Sequence, residues 1–474
     1  MKMINDLPDN WIVKPLGEVC KTIKGKKPKD SGPASNERTV PYINIKAFES
    51  GQPQEFAAPG DYPSCERNDV LIVWDGARAG LTGHGVSGYI GSTLAKVYSD
   101  AADSRYLFYF LCSQYDYINS RTKGVGIPHV DPLIFKNIPF PVPSLEQQRC
   151  IVAEIEKQFS RLDEAVANLK RVKANLKRYK AAVLKAAVEG KLSEKWRKAH
   201  PDVEPASELL ERILAERRAK WEELELAKMR AMGKESKDDK WKSKYKEPTE
   251  PDTTRLNQLP EGWLWVRLEQ ATERITKGSS PNWQGFDYVE KGIPFVRSQN
   301  VLWGKLDVSA VAHLPKGFNE KEAKSVLQVG DVLLNIVGAS IGRSAIVSKE
   351  VQGGNVNQAV AVIRLISGGL RNAFLMYYLV SANAQDQINQ EKVDVARANI
   401  SLSDIADLVA PLPPEQEQKK IMDEIARRLT ITEKLELEIE RNMKRAERLR
   451  QAIFKQAFRG CLAIENEAGA TQWS

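Results

Sequence analysis

The C-terminal part of each half of this chain repeats the other without a gap. Pro141-Val142-Pro143 recurs as Pro411-Leu412-Pro413, 270 residues later. At the same spacing, the identical pairs are Gln148 with Gln418, Ile151 with Ile421, Glu154 with Glu424, Arg178 with Arg448, Lys185 with Lys455, Gly190 with Gly460 and Leu192 with Leu462. Such a duplication predicts two similar halves related by a pseudo-twofold axis, an arrangement that suits a two-part ligand.

The upstream part of the repeat is less strict in its spacing. Leu7–Trp11 matches Leu259–Trp263, 252 residues later, whereas Asn68–Leu71 matches Gly330–Leu333 at 262. The second copy therefore has 18 more residues between its matched ends. Constant spacing in one part and drift in the other favour a constant helical frame that carries two different globular heads.

Composition excludes several classes of site. A formal net charge of +8, from 70 Lys and Arg against 62 Asp and Glu, gives only a hint of a polyanionic partner. The five cysteines form no Cys-x-x-Cys pair and the four histidines lie far apart, which argues against disulfides and against a metal site. The first residues form no apolar leader and no apolar run approaches ~18 residues, so we expect a cytoplasmic protein.

The heads are predicted to be mixed α/β (α+β) domains. Short apolar runs bounded by Gly and Pro, such as Val40–Ile45 and Asp69–Trp74, indicate strands, and 105–111 indicates a helix. Asp331–Val337 and 372–379 repeat this order. The predicted divisions are head 1 at 1–143, a long helix at 144–192, a charged linker at 193–256, head 2 at 257–413, a second long helix at 414–462 and a tail at 463–474.

Two long amphipathic helices are predicted by the heptad spacing of their apolar residues. The seam residues are Ile155, Leu162, Leu169, Leu176 and Val183 in the first helix, and Ile421, Ile425, Leu429, Leu435, Ile439, Met443, Ala446, Leu449, Ile453 and Ala457 in the second. A helix of ~45 residues is roughly 68 Å long and cannot bury its stripe within one head. We therefore expect the two helices to pair as an antiparallel coiled coil with pseudo-twofold symmetry.

The linker is predicted to be partly helical. A helix is expected to start at Ser207, after Pro205. Beyond Gly233 the run is so polar that we expect a mobile segment.

Motifs for catalysis are missing from the sequence. None of the Gly-Lys pairs is followed by Ser or Thr, so there is no phosphate-binding loop of that type. The sequence also contains no Asn-Pro-Pro-Tyr/Phe element for amino methylation, no cofactor-binding glycine fingerprint and no distinct acidic cluster. We therefore predict no catalytic residue, no cofactor-binding residue and no metal ligand in this chain.

The order of motifs resembles the specificity subunit of type I restriction-modification systems. The motifs are Leu-Pro-x-x-Trp, Lys-Gly-x-x-Pro at Lys24–Pro28 and Lys277–Pro281, Asp-Val-Leu, and Pro-x-Pro before a long helix that ends in Gly-x-Leu. The resemblance covers almost the whole chain. The sequence departs from the family pattern at Trp74–Gly80 of head 1, where head 2 has Ile336–Arg343. The resemblance therefore implies the role of the protein and not the DNA sequence that it recognises.

The resemblance implies a non-catalytic, cytoplasmic subunit in which each head is a target-recognition domain for one half of a bipartite DNA site. The helices would set the spacing and dock two modification (methyltransferase) subunits, and two restriction subunits would join them. Partner subunits would use S-adenosylmethionine, ATP and Mg. A stand-alone modification enzyme and a coiled-coil scaffold without a DNA role are the alternative interpretations.

Candidate DNA contacts follow from the chemistry of base edges and phosphates. In head 1 they are Lys24, Lys26, Lys27, Arg78 and Lys123, and in head 2 Lys277, Ser279, Arg297, Gln299, Asn300, Ser340, Arg343 and Arg397. Solvated surface charge is the alternative for Lys26 and Lys27, and an ordinary turn residue is the alternative for Arg78. Trp283 is read as a packed aromatic residue rather than a base-stacking one.

Overall fold

Head 1 consists of short strands and short helices. The structure is a computed structural model that describes residues 7–8, 10–124, 126–233, 239–254, 256–390, 399–462, 464–465 and 471–472. In chain order, head 1 contains β1 (Ile12–Pro15), α1 (Leu16–Val19), β2 (Lys21–Lys24), β3 (Ser31–Gly32), β4 (Val40–Ile43), α2 (Ile45–Ser50), β5 (Glu55–Ala57), β6 (Ser64–Cys65), β7 (Val70–Val73), β8 (Thr82–Gly83), β9 (Gly88–Ile90), β10 (Leu94–Tyr98), α3 (Ser104–Ser113), α4 (Tyr115–Asn119), α5 (Pro132–Lys136) and β11 (Pro139–Val142).

The segment between the heads is helical. It contains the first long helix α6 (Leu145–Val188), then α7 (Glu194–Ala199) and α8 (Ala206–Ala231), and a 3₁₀ helix at Asp239–Lys244. The helix predicted to start at Ser207 is confirmed to within one residue.

Head 2 repeats the order of head 1, and a second long helix follows it. The elements are β12 (Leu264–Arg267), α9 (Leu268–Ala271), β13 (Thr272–Lys277), α10 (Pro281–Gln284), β14 (Ile293–Val296), β15 (Ala312–Leu314), α11 (Gly317–Lys321), β16 (Val332–Asn335), β17 (Ser344–Ile346), β18 (Asn355–Val356), β19 (Val360–Leu365), α12 (Asn372–Leu379), α13 (Ala382–Gln390), α14 (Leu402–Asp407), β20 (Val409–Leu412), α15 (Glu415–Ala457), β21 (Ile464–Glu465) and β22 (Thr471–Gln472). Short 3₁₀ helices lie at Ser298–Asn300, Ala323–Ser325, Gly338–Ser340 and Lys349–Val351.

The sheets of the two heads have the same topology. A four-stranded antiparallel sheet has the order β2-β10-β7-β8 in head 1 and β13-β19-β16-β17 in head 2. A two-stranded ladder joins the start of each head to its end, as β1-β11 and β12-β20. A third sheet contains a parallel pair, β4 with β9 or β14 with β18, and head 1 adds β3 and β6 to it. The predicted α+β class is confirmed.

The chain divides into two compact units, and the division passes through both long helices. One unit comprises residues 1–172 and 438–474, and the other comprises 173–437. Each head thus shares its core with segments of both long helices. In the first unit, Ile155, Ile453 and Phe454 belong to the core of head 1, and in the second Ala187 and Ile425 belong to the core of head 2.

Within the first unit the helices α6 and α15 run antiparallel. The ring of Phe159 lies 5.1 Å from the ring of Phe454, and Asp163, one turn later in α6, pairs with Arg450, one turn earlier in α15. Within the second unit, Lys180 Nζ lies 2.7 Å from a carboxylate oxygen of Glu436. The predicted antiparallel pair is confirmed.

The seam of α6 is as predicted, since Ile155 and Val183 are buried and Leu162, Leu169 and Leu176 are half-buried. The seam of α15 differs from the prediction. Its buried heptad row is Ile425, Thr432, Ile439, Ala446 and Ile453. Thr432 is satisfied because its hydroxyl donates to the Arg428 carbonyl at 2.8 Å.

Leu435 and Leu449 were wrongly placed in the seam, for both are exposed, at 47% and 44%. Each lies three residues beyond a seam residue, which turns it about 60° away from the partner helix. The other four residues of the buried row were predicted correctly, and Thr432 was missed because it is polar.

The linker is more ordered than predicted. Residues 234–238 lie outside the described part, but the expectation of mobility is wrong for Asp239–Lys244. Trp241 is buried there and stacks on Trp221 of α8, with 5.9 Å between ring centroids. Two aromatic rings give this polar run enough apolar area to dock on the helix.

A buried glutamine fixes each long helix to its head. Gln148 donates to the Pro143 carbonyl at 2.9 Å and accepts from the Asp103 N–H at 2.8 Å. Gln418 makes the same two bonds, to the Pro413 carbonyl at 2.9 Å and from the Arg371 N–H at 2.8 Å. Both side chains are 0% exposed. One amide thus joins the last strand, the long helix and the N-terminus of a head helix.

A buried carboxylate anchors the start of α15 in the second unit. Glu417 is buried and accepts from Ser193 at 2.6 Å, from Arg197 at 2.7 Å and from the Trp263 indole N–H at 2.8 Å. In the first unit the position of Glu417 is Gln147, which instead caps the helix start at Ser144. The buried Trp11 indole N–H has no partner among the described residues.

We expect Gln418→Leu to destabilise the chain by about 1–3 kcal/mol, because it leaves the Arg371 N–H and the Pro413 carbonyl buried without partners. Urea unfolding of the full chain measures the loss. The control is Gln416→Leu, two residues away and exposed, which should change the free energy of unfolding by less than about 0.5 kcal/mol. Equal effects of the two variants would contradict this role.

The corrected seam gives a second prediction. Ile425→Asp buries a carboxylate in the core of head 2 and should cost several kcal/mol. Leu435→Asp places the same carboxylate on an exposed face and should cost less than about 0.5 kcal/mol. The midpoints of thermal unfolding of the two variants measure the difference. A larger loss for Leu435→Asp would mean that the register of α15 is wrong.

Candidate nucleic-acid interface

The ends of three strands in head 1 meet at one edge. The Lys26 N–H donates to the Ile90 carbonyl at 2.9 Å, and the Gly91 N–H donates to the Ile43 carbonyl at 2.9 Å. The Trp74 N–H donates to the Thr93 carbonyl at 2.8 Å. The Val130 N–H also donates to the Trp74 carbonyl at 2.8 Å. These bonds join the segments that we call loop edge 1, residues 24–27, 44–50, 74–80, 91–93, 121–124 and 126–131.

Head 2 has the corresponding edge. The Asn357 N–H donates to the Val296 carbonyl at 3.0 Å, and the Ile336 N–H donates to the Ala359 carbonyl at 2.9 Å. The Asn335 amide donates to the Ser298 carbonyl at 2.8 Å. We call these segments loop edge 2, residues 277–279, 297–304, 336–343, 356–359 and 399–401.

The first segment of each edge contains a glycine, because two backbone segments approach each other closely there. A Cβ added to Gly25 would lie 2.2 Å from the Gly91 carbonyl oxygen, and one added to Gly278 would lie 1.7 Å from the Val356 carbonyl oxygen. No side chain fits at either place. The glycine of the Lys-Gly motif therefore holds the basic loop against the neighbouring strand.

Three candidates of loop edge 1 are ion-paired. Lys24 Nζ lies 2.9 Å from Asp75, and Lys123 Nζ lies 3.0 Å from Asp131. Arg78 pairs with Glu49 on α2. Lys26 and Lys27 are exposed, and the described residues place no carboxylate in an ion pair with either.

Asp131 is the most constrained of these carboxylates. It caps α5 by accepting from the Leu133 N–H at 2.9 Å. The hydrogen bond from Lys123, and then the backbone N–H groups, lower the pKa of Asp131 below its ordinary value. It is therefore ionised at neutral pH and holds Lys123 in place.

In head 2, the cluster predicted after β14 is only partly available to a ligand. Gln299 is exposed, and Arg297 is half-buried with its guanidinium 5.9 Å from the Tyr288 ring centre. Asn300 is 3% exposed; its amide oxygen accepts from the Arg297 N–H at 3.0 Å and its nitrogen donates to the Asp307 carbonyl at 3.1 Å. Asn300 shapes the loop, so we no longer count it among the base contacts.

The other candidates of head 2 fall in three groups. Lys277 is exposed at the end of β13, and Arg343 is half-buried in the 336–343 loop. The Ser279 hydroxyl accepts from Gln284 at 3.1 Å, and the Ser340 hydroxyl donates to the Val337 carbonyl at 3.3 Å. Arg397 lies outside the described residues.

Some exposed residues of the edges were not predicted. Trp303, in the turn after Asn300, and Ile127 of head 1 are large apolar side chains at the surface. Trp283, interpreted as packed, is 78% exposed, so that interpretation is wrong. The turn dipeptide Trp-Gly at 303–304 was the available signal for Trp303. The acidic partners Asp75 and Glu49 were also missed, since sequence spacing does not reveal which carboxylate faces which cation.

The described residues of the two edges present mainly hydrogen-bond donors and side-chain amides. Across the described residues, no cluster of three or more His, Cys, Asp or Glu side chains is placed to hold a metal ion. Two cavities of the second unit, of about 780 and 890 Å³, lie beside α12 and α7, and no residue of loop edge 2 lines either of them. No helix in the described part of the chain is long and apolar enough to cross a membrane.

Comparison with known families agrees with this architecture. The family of type I restriction modification DNA specificity domains matches the chain twice, over residues 8–178 and 260–441. The chain belongs to this family. Its matched segments include both heads and much of both long helices.

Curated relatives match over nearly their whole length. The MjaVIII specificity subunit of Methanocaldococcus jannaschii is 25% identical over 97% of this chain and 95% of its own length. The EcoBI specificity subunit of Escherichia coli is 24% identical over 96% of this chain and 87% of its own. Both are named as specificity subunits of type I restriction enzymes.

Solved structures show the same fold. A chain from work on complex assembly and conformational transition of the type I R-M system aligns with a TM-score of 0.63 at 21% identity, over 96% of this chain and 99% of that one. The HsdS subunit of Thermoanaerobacter tengcongensis aligns with a TM-score of 0.53 at 21% identity, over 96% and 98%.

We expect Gly25→Ala to displace the basic loop of head 1, because its Cβ would overlap the Gly91 carbonyl. The variant should unfold at lower denaturant concentration and bind DNA more weakly. Gly32→Ala is the control, since Gly32 lies outside loop edge 1 and a Cβ there would make only ordinary contact, 3.6 Å from the Arg38 side chain. Urea unfolding together with a DNA-binding titration provides the measurement. If both variants unfold and bind DNA as the parent chain does, the close approach of Gly25 to the Gly91 carbonyl is not important for either property.

Proposed function

We propose that each head of this chain reads one half of a bipartite DNA site through its loop edge. The observation that carries the proposal is that one frame presents the same edge twice, with different side chains on each. The edges share Lys24 and Lys277 at the end of the first sheet strand. They differ in the loops that follow. Two recognition surfaces on a constant frame are what a two-part asymmetric sequence requires.

The chemistry of the edges supports two kinds of contact. Exposed lysines such as Lys26, Lys27 and Lys277 suit phosphate oxygens, which fix position without reading sequence. Arg297, Arg343 and Gln299 have the donors and acceptors that guanine and adenine present in the major groove. We therefore assign base reading in head 2 to the 297–299 and 343 positions, and backbone binding to the lysines.

The chain acts with DNA and with methyltransferase and restriction subunits, as specificity subunits of this family do. We propose two modification subunits and two restriction subunits for each copy, with the long helices setting the spacing of the half-sites and docking the modification subunits. We also propose that S-adenosylmethionine, ATP and Mg are bound by those partners, and that the complex works in the cytoplasm.

Damage to one head should relax recognition in one half-site only. Arg297→Ala or Gln299→Ala should lose about 1–3 kcal/mol of discrimination at a single base pair of the half-site of head 2, because a bidentate contact is lost. Methylome sequencing of cells that express the variant with its partner subunits identifies the relaxed position, and binding to a panel of site variants measures the loss.

Lysine variants provide the comparison. Lys26→Ala or Lys27→Ala should weaken binding to all sequences and flatten the salt dependence. Lys21→Ala, at the opposite end of β2, is the matched control and should change neither property. If Arg297→Ala lowered affinity equally for every site variant, or altered the half-site of head 1, the assignment of head 2 would be wrong.

A further inference from the structure

Three of the five candidate cations of loop edge 1, Lys24, Arg78 and Lys123, form ion pairs with carboxylates of the same edge. The exposed fractions are 51% for the Lys24 side chain and 24% for its partner Asp75. Arg78 and Lys123 are likewise more exposed than Glu49 and Asp131. Each cation therefore faces the surrounding solvent, while its carboxylate lies behind it in the fold.

The fold fixes these carboxylates in position. Asp75 follows β7, and its backbone pairs with His129 of the neighbouring segment. Glu49 lies on α2, a helix whose N-terminus is capped by Asn44. The carboxylates are thus part of the framework of head 1, whereas the cations that they bind lie at loop ends and can turn toward a ligand.

Head 2 has the same lysine but lacks the carboxylate. Lys24 is opposite Ala95 in its ladder, and Lys277 is opposite Ala361 in the equivalent ladder. The residue that corresponds to Asp75 is Val337, which pairs with Asn399 where Asp75 pairs with His129. Among the described residues, no carboxylate forms an ion pair with Lys277.

We propose that Asp75 and Glu49 are specificity-determining residues of head 1 that act as internal counter-ions for Lys24 and Arg78. They compete with DNA phosphates for these cations and so weaken binding to non-cognate DNA. This role rests on the proposed function of loop edge 1 in DNA binding. Head 2, with Val337 in place of the carboxylate, depends on phosphate contacts without this competition.

The physical basis is the release of condensed counterions from DNA. A lysine that is free before binding replaces one condensed cation and contributes about 0.9 to the slope of log K against log salt. A lysine already neutralised by Asp75 must first break its ion pair, and its carboxylate then remains near the phosphates. Non-cognate binding, which consists almost entirely of phosphate contacts, loses the largest fraction of its affinity.

The test uses the full chain in complex with its modification subunits and a long duplex of mixed sequence without the cognate site. Asp75→Asn and Glu49→Gln keep the shape of each side chain and remove its charge. Each variant should bind this duplex about threefold to tenfold more tightly at low salt, with a salt slope steeper by about one. Two independent positions keep the test valid if one variant folds poorly.

Matched substitutions complete the design. Val337→Asp places a carboxylate beside Lys277 and should weaken non-cognate binding by a similar factor. Asp100→Asn is the control, because Asp100 pairs at 3.2 Å with Lys21, which lies at the far end of the same strand, and both side chains are largely exposed. That variant should leave the salt slope unchanged.

Three results would overturn the proposal. The first is unchanged non-cognate affinity in both Asp75→Asn and Glu49→Gln. The second is a loss of cognate affinity confined to one base pair in Asp75→Asn, which would make Asp75 a base-reading residue. The third is an equal gain for Asp100→Asn. Failure of the proposed function is distinguishable, since Lys26→Ala and Lys27→Ala would then leave DNA binding unchanged.

Discussion

The buried glutamine at the start of each long helix is the interaction on which the rest of the architecture depends. Gln148 and Gln418 each satisfy one backbone carbonyl and one backbone N–H that come from different elements. An amide can accept and donate at once, and an apolar side chain can do neither. Because both glutamine side chains and their bonds to the proline carbonyls are buried, the attachment of each long helix to its head tolerates little variation.

The constant frame explains how two edges can differ without changing the fold. The Lys-Gly turn, the strand ends and their cross-bonds are common to both heads, so the loops between them are free to vary. Loop edge 1 combines cations with carboxylates, whereas loop edge 2 has an exposed tryptophan, two half-buried arginines and an exposed glutamine. The rigid elements position the edge, and the loops carry its selectivity.

Much of the frame was predictable because the repeat aligns residues that have the same structural role in both halves. The glycine of each Lys-Gly motif, the paired Gln148 and Gln418, and the heptad residues of α6 were identified by spacing alone. The second seam was misread at Leu435 and Leu449, because Thr432 occupies a seam position and apolarity was the search criterion. Asn300 looked like a base reader and is a loop cap, and the partners of Lys24 and Arg78 were missed. Those outcomes depend on three-dimensional neighbours, which a linear pattern does not contain.

The division of the chain has a consequence for its synthesis. The core of head 1 includes Ile453, Phe454, Ala457 and Leu462, so it cannot close until the second long helix and Leu462 have been translated. Nascent domains normally fold in order from the N-terminus. Here head 2, whose core residues lie between Leu184 and Leu429 among the described residues, can be completed on the ribosome before head 1. A product that stopped before Ile453 would expose the apolar base of head 1 to proteases.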